Sequence, residues 1–161
     1  MNLKLLLHSL LLFAPLAVLG DAVLDQREVA AELDGLIHKD GLITVYSLDP
    51  QPVDAAGPNE FHGYKILGKK EVHDAGDRKE LLAKLADSIR QSDGLSDRCF
   101  IPRHGVRLSS NGKTIDWVIC FECKSGRRYG ATYGIFTLTD TANPIFDVYL
   151  DKHWIQRNRR Q

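Results

Sequence analysis

Sulfur is scarce in this 161-residue chain, which has three cysteines and one methionine. Three cysteines are too few for a mini-protein built on disulfides. An excess of one charge is also missing. With 21 Lys+Arg against 21 Asp+Glu, no broad positive field exists to hold a nucleic-acid backbone, so no nucleic-acid partner is expected. Beyond residue 20 no apolar run approaches the ~20 residues that a membrane-spanning helix needs. Internal repeats and low-complexity segments are absent, and 43% apolar residues are too many for a disordered chain. What remains is a single domain of ordinary size.

Residues 1–20 stand apart from that domain. Met1 to Lys4 is a short basic segment, and Leu5 to Leu19 is apolar except for His8, Ser9 and Pro15. Val18-Leu19-Gly20 then places compact residues before Asp21. This is the pattern of a cleaved secretory signal peptide, and its apolar stretch of about 15 residues is short for a retained anchor. No cysteine follows the run to carry a lipid. The expectation is an exported protein, periplasmic or extracellular, whose residues 21–161 form one domain without a membrane span. It would meet an oxidising compartment.

Along that domain, Val29, Leu33, Leu36 and Ile37 recur at the spacing of one helical face, and Gly41 ends the helix. Leu42 to Tyr46 is rich in β-formers, and Asp49 to Asn59, with three prolines and a glycine, reads as a loop. Phe61 to Val72 reads as one strand, bulged near Gly68. Asp74 or Asp77 can cap a second helix with Leu81, Leu82, Leu85 and Ile89 inward and Gly94 past its end. Arg127-Arg128 after Gly126 reads as a turn, and Tyr129 to Leu138 as a curved strand. Asn143-Pro144 reads as an N-cap and first-turn proline of a final helix, with Ile145, Val148, Tyr149 and Trp154 available to pack. Gln156 to Gln161, containing Arg157, Arg159 and Arg160, reads as a solvated basic tail, or else as a contact for an acidic partner. Strands joined by short turns predict an α+β domain, an antiparallel sheet of four to five strands with helices packed on one face.

The sharpest local signal is Asn111-Gly112 between two apolar-rich runs, a hairpin turn in which both residues accept positive φ. A two-residue turn pairs Ser110 with Lys113. One face then carries His104, Val106 and Leu108 opposite Ile119, Trp117 and Ile115. The other faces Arg107 to Asp116 and Arg103 to Cys120, with Glu122 diagonal to Arg103.

Cys99-Phe100-x-Pro102-Arg103-His104-Gly105-x-Arg107, Asn111-Gly112-Lys113-Thr114 and Val118-Ile119-Cys120-Phe121-Glu122-Cys123 together resemble the signature of a family of small exported bacterial proteins of unknown function. Phe61-His62-Gly63-Tyr64 and Asn143-Pro144-Ile145-Phe146-Asp147 are similar to it too. The resemblance covers about residues 58–152 and implies export and a single domain. The family brings no activity, cofactor or catalytic residue with it.

Four chemistries compete for the same residues. Cys99-x4-His104-x15-Cys120-x2-Cys123 offers four zinc-ligand types. In the expected register, however, Cys120 and Cys123 point to opposite faces, and Cys99 lies about 13 Å along the strand from the partner of Cys120. A structural disulfide suits the register better. Cys99 nearly faces Cys123, and one extra residue near Pro102 would bring them opposite. Closing that loop of about 25 residues is worth roughly 3 kcal/mol. Cys99–Cys120, or no bridge, are the alternatives. Arg103-His104-Gly105-Val106-Arg107 matches the R-H-G-x-R string of histidine phosphatases, but it runs into a hairpin where that family has a helix. A thiol hydrolase would need a cysteine activated by His62, His73 or His104, and all three cysteines sit in or beside strands.

The expected function is a non-enzymatic binding or accessory module, in the manner of an inhibitor or immunity protein, with a protein or small molecule as ligand. Arg103, His104, Arg107 and His62 are its candidate binding residues, and no cofactor or catalytic residue is assigned. The alternative is a metal-binding protein or small hydrolase centred on Cys99, His104, Cys120 and Cys123. Gly63 and Gly105 are read as places where an aromatic ring or another strand comes close. The Lys65, Lys69, Lys70 and Glu71 run is read as a solvated strand face.

Overall fold

A computed structural model describes residues 21–54 and 57–158. The expected leader over residues 1–20, and Arg159 and Arg160 of the tail, lie outside the described residues. The elements run α1 (Gln26–Ile37), β1 (Leu42–Pro52), β2 (Glu60–Phe61), β3 (Tyr64–Val72), α2 (Ala75–Arg90), β4 (His104–Ser110), β5 (Lys113–Cys120), β6 (Ser125–Tyr129), β7 (Gly134–Thr137) and α3 (Asn143–Lys152). The fold is α+β, but the expected four to five strands are corrected to seven. They form one antiparallel sheet in the order β2-β3-β1-β4-β5-β6-β7, curled into a half-barrel.

The extra strands come from places where the residue pattern misleads. Phe61 to Val72 is split because His62 (φ 51°) and Gly63 (φ 86°) make a tight turn inside it. Arg127 and Arg128 belong to β6 instead of a turn, and the bend follows at Gly130. The expected loop over Asp49–Asn59 is shortened, because β1 continues to Pro52. Its prolines are tolerated there because the pairing with β3 shifts register after Ser47 and again after Leu48. The bulge expected near Gly68 is the β3 side of the first shift, Ser47 facing Gly68 and Leu48 facing Ile66.

The hairpin of β4 and β5 runs in the expected register from Ser110↔Lys113 to His104↔Ile119. Asn111 and Gly112 both hold positive φ, 50° and 73°. The ladder with β4 stops there, however, so the expected facing of Arg103 with Cys120 is absent; Cys120 ends β5 opposite Ser125 of β6, and residues 121–124 turn between them.

Helix ends follow their chemistry. The Asp25 carboxylate accepts from the Arg27 and Glu28 amides, and Asp74 accepts from the Asp77 amide at 2.8 Å. At the other end of α1, Arg78 of α2 donates to the carbonyls of Leu36 (2.8 Å), Lys39 (2.6 Å) and Gly41 (2.7 Å), filling acceptors that the helix leaves unpaired. In α3, Asn143 is the first helical residue, with Ala142 in the cap position and no side-chain cap bond. That corrects the expected Asn143 cap.

One sheet face, with Ile43, Val45, Val106, Leu108, Trp117, Ile119 and Phe136, packs against Leu33, Leu82, Leu85, Ile89, Phe146 and Leu150 of the helices. Val148 and Trp154, expected to pack, are instead 65% and 95% exposed. The opposite face holds a smaller cluster of Tyr46, Leu48, Phe61, Tyr64 and Val118. Gly105 lets Phe61 onto that face, since a Cβ there would lie 2.7 Å from the ring. Gly63 instead serves the turn, with open space around it. Among the described residues, no helix is long and apolar enough to cross a membrane.

Candidate functional site

The segment after α3 shapes the site. Ile155 N–H donates to the Leu150 carbonyl and Trp154 N–H to that of Asp151, a Schellman end with Trp154 in the left-handed position at φ 57°. The turn tucks Ile155 against the core and brings Arg157 back over the helix. There its guanidinium reaches Asp147 at 2.6 Å and holds Asp151 through two N–H groups, at 2.9 and 2.7 Å. Arg157 is thus anchored, which corrects the expectation of a solvated tail at this residue, while Gln156 beside it is exposed.

Beneath it lies His104, the first residue of β4, beside Ser47 of β1 and Ile119 of β5. Phe121 and Phe146 flank the imidazole, with ring centroids 5.3 and 5.8 Å away. Burial holds the His104 pKa below its ordinary value, against the upward pull of Asp147. Burial alone would raise the Asp147 pKa, but the hydrogen bond from His104 and the charge of Arg157 outweigh it and hold the carboxyl low. A neutral imidazole beside an ionised carboxylate must donate, so Nε2–H points to Asp147 Oδ1 at 3.0 Å. These groups line a pocket of about 310 Å³ together with Ser47, Ile101, Arg103, Phe121, Glu122 and Asn143. Arg103 donates to Glu122 across it at 2.7 Å.

The four expected binding residues therefore divide. Arg103 and His104 line this pocket, whereas Arg107 and His62 meet on the opposite sheet face around Asp116. Arg107 grips that carboxylate through Nε (2.8 Å) and Nη2 (2.6 Å), and His62 Nε2 lies 2.7 Å from it. The His62 ring stacks on Tyr129 at 3.7 Å. Burial would raise the Asp116 pKa, but hydrogen bonds from Arg107 and His62 hold it low.

The R-H-G-x-R string is thereby split across the sheet. His104 faces the helices and Arg107 faces away, so the two cannot cradle one phosphoryl group. Cys99 and Cys123 stand at disulfide distance, with Cα atoms 5.6 Å apart. Cys120 is buried, its sulfur accepts from the Cys123 amide, and burial pushes its thiol pKa up. That is the opposite of an activated thiolate. Among the described residues, no group of three or more His, Cys, Asp or Glu is placed to hold a metal.

The chain matches no family model, no curated protein and no solved structure. Two of the pocket's charged groups, Asp147 and Arg157, carry no local signal in the sequence. They reach His104 from 43 or more positions away, through packing of α3 and its Schellman end.

Proposed function

We propose that the protein is an exported, non-enzymatic binding module and that the pocket holding His104 is its ligand site. The observation carrying this reading is how the ionic groups around the pocket are engaged. Arg157 is spent on Asp147 and Asp151, Arg103 reaches Glu122, and His104 gives its Nε2 proton to Asp147. Catalysis would need a nucleophile whose proton a poised base can take. Ser47 stands beside His104 in the ladder, but no hydrogen bond joins their side chains among the described residues, and the imidazole Nε2 goes to Asp147. A volume of about 310 Å³ lies at the small end of ligand pockets. Export is supported by the basic-then-apolar pattern of residues 1–20 and by the Cys99–Cys123 spacing. The exposure of Val148 and Trp154 favours a protein partner, as for an inhibitor or immunity protein, as the second reading.

A fragment screen by ¹H–¹⁵N NMR tests the first reading. Ligand-induced shifts should cluster at His104, Phe121 and Asn143 and vanish in His104→Ala. Turnover of ester or phosphoester substrates that His104→Asn abolishes would replace the module by an enzyme. N-terminal sequencing of the exported protein should begin at Asp21, and an uncleaved intracellular chain would refute export.

A further inference from the structure

We infer that Cys99 is a thiol-exchange site, at which a small-molecule thiol such as glutathione opens the bridge to Cys123 and loosens part of the lining of the His104 pocket. The inference goes beyond the binding-module reading and does not need it, since it concerns the cavity whatever fills it. The two ends of the bridge differ in access. Cys99 belongs to an exposed run, residues 93–99, whereas Cys123 is 0% exposed. Exchange depends on which sulfur the incoming thiolate can reach, and exposed bridges are the labile ones. The open approach is at the Cys99 end. Cys120 does not forestall the reagent from inside. Its sulfur accepts from the Cys123 amide at 3.2 Å, but burial pushes its pKa up, so little thiolate forms there.

The small thiol is the sole co-reactant. Its thiolate forms a bond to the Cys99 sulfur as the Cys99–Cys123 bond breaks, and the electron pair leaves on the Cys123 sulfur, which takes a proton from water. A second thiolate attacks the outer sulfur of the mixed disulfide and releases Cys99 as a thiol. Two small thiols are thereby oxidised to one disulfide while the bridge is reduced. The bridge ties residues 91–103, which carry no helix or strand, to the turn over residues 121–124. Ile101 and Arg103 of the first segment line the pocket, as do Phe121 and Glu122 of the second. After opening, these segments are joined by the Asp97 amide on the Cys123 carbonyl (3.0 Å), the Ile101 amide on the Cys120 sulfur and the Arg103–Glu122 ion pair. Such single contacts hold far less firmly than a covalent link. Ser47, His104, Asn143 and Asp147 line the pocket from β1, β4 and α3, and they stay in place without the bridge.

The test is to incubate the full mature chain, folded and without denaturant, in reduced glutathione at about pH 8. Early samples are quenched with acid and mapped by mass spectrometry, and the end state is followed by ¹H–¹⁵N NMR. Glutathione should be found on Cys99 at least ~10-fold more often than on Cys123. On full reduction, the amides of Ile101, Arg103, Phe121 and Glu122 should shift further than those of Asn143 and Asp147. The Asp97 amide should exchange with deuterium at least ~10-fold faster than in the oxidised protein. The double variant Cys99→Ser with Cys123→Ser should show the reduced spectrum without glutathione. The wild-type mapping and spectra decide the matter without it, so misfolding of the variant cannot excuse a failure. A bridge that resists glutathione until urea unfolds the chain would overturn the exchange site, as would adduct chiefly on Cys123. Reduction that moves Asp147 as far as Ile101, or moves neither, would overturn the link to the pocket. None of these outcomes bears on the fragment screen, which judges the binding-module reading separately.

Discussion

Replacing Asp116 by alanine removes the acceptor at the centre of a three-way contact. The carboxylate is 4% exposed and takes two N–H groups from Arg107 and one from His62. Deleting one member of a buried ion pair typically costs about 3–5 kcal/mol, because the survivor is left desolvated. Here the survivors recover part of that loss, since the Arg107 and His62 side chains are 37% and 25% exposed and can turn to water. The expected cost is therefore about 2 kcal/mol, a fall in Tm of roughly 6–8 °C for a domain of this size. Urea unfolding at pH 7 measures it, with Arg107→Gln and the double variant completing a cycle whose coupling should be about 1 kcal/mol. The pH dependence has a definite sign. Because the folded-state pKa of Asp116 lies below its ordinary value, the contact stabilises fully above about pH 4 and is lost as the pH falls through the folded value. The gap between wild type and Asp116→Ala should therefore narrow below pH 4. A cost under about 0.5 kcal/mol, or additive single and double variants, would refute the reasoning.

Gly126→Ala should destabilise by about 2–3 kcal/mol in thermal unfolding, since its Cβ would overlap the buried Phe136 ring, whereas Gly130→Ala, whose closest neighbour would be 3.5 Å away, should be nearly neutral. Trp154→Gly should raise stability by about 1 kcal/mol, because a fully exposed side chain is removed from a left-handed position that glycine adopts freely; an unchanged or lower urea midpoint would contradict this. His104 has a folded pKa below its unfolded value near 6.5, so its share of stability is complete above about pH 6.5 and lost as the pH falls from there through the folded value. His104→Gln should flatten the urea midpoint between pH 7.5 and 5.5, and an equally steep variant would refute the assignment.

What could be read beforehand was local in sequence. Asn111-Gly112 announces its turn through backbone freedom, and the alternation on either side then dictates that Arg107 faces Asp116. The α2 stripe and the role of Gly105 beneath Phe61 were legible for the same reason, as periodicity and missing bulk are written residue by residue. The strand count was not. His62 holds the left-handed position usually given to Asn or Gly, so a turn hid inside an apolar-rich run. Arg128 sits in a strand because Glu32 of α1 receives it through two bonds, a compensation invisible from the neighbours of Arg128. The pocket escaped for a related cause. Asp147 arrives on α3 and Arg157 on the segment just after it, and the placement of both depends on Phe146 and Leu150 filling the core.

The two margins of the sheet bear on how copies of the protein behave when crowded. At one margin, β7 is already bonded on its outer side, with Leu24 N–H to the Ile135 carbonyl and Ile135 N–H to that of Ala22. At the other, β2 covers just the start of β3, and the uncovered length carries Lys69, Lys70 and Glu71 beside the Gly68 irregularity. A second molecule arriving side-on would meet a rim already bridged at Ile135 on one side and a kinked rim bearing two lysines on the other. Fibril growth by ribbon addition is thereby denied a straight template, and a concentrated stock should stay free of thioflavin-positive seeds.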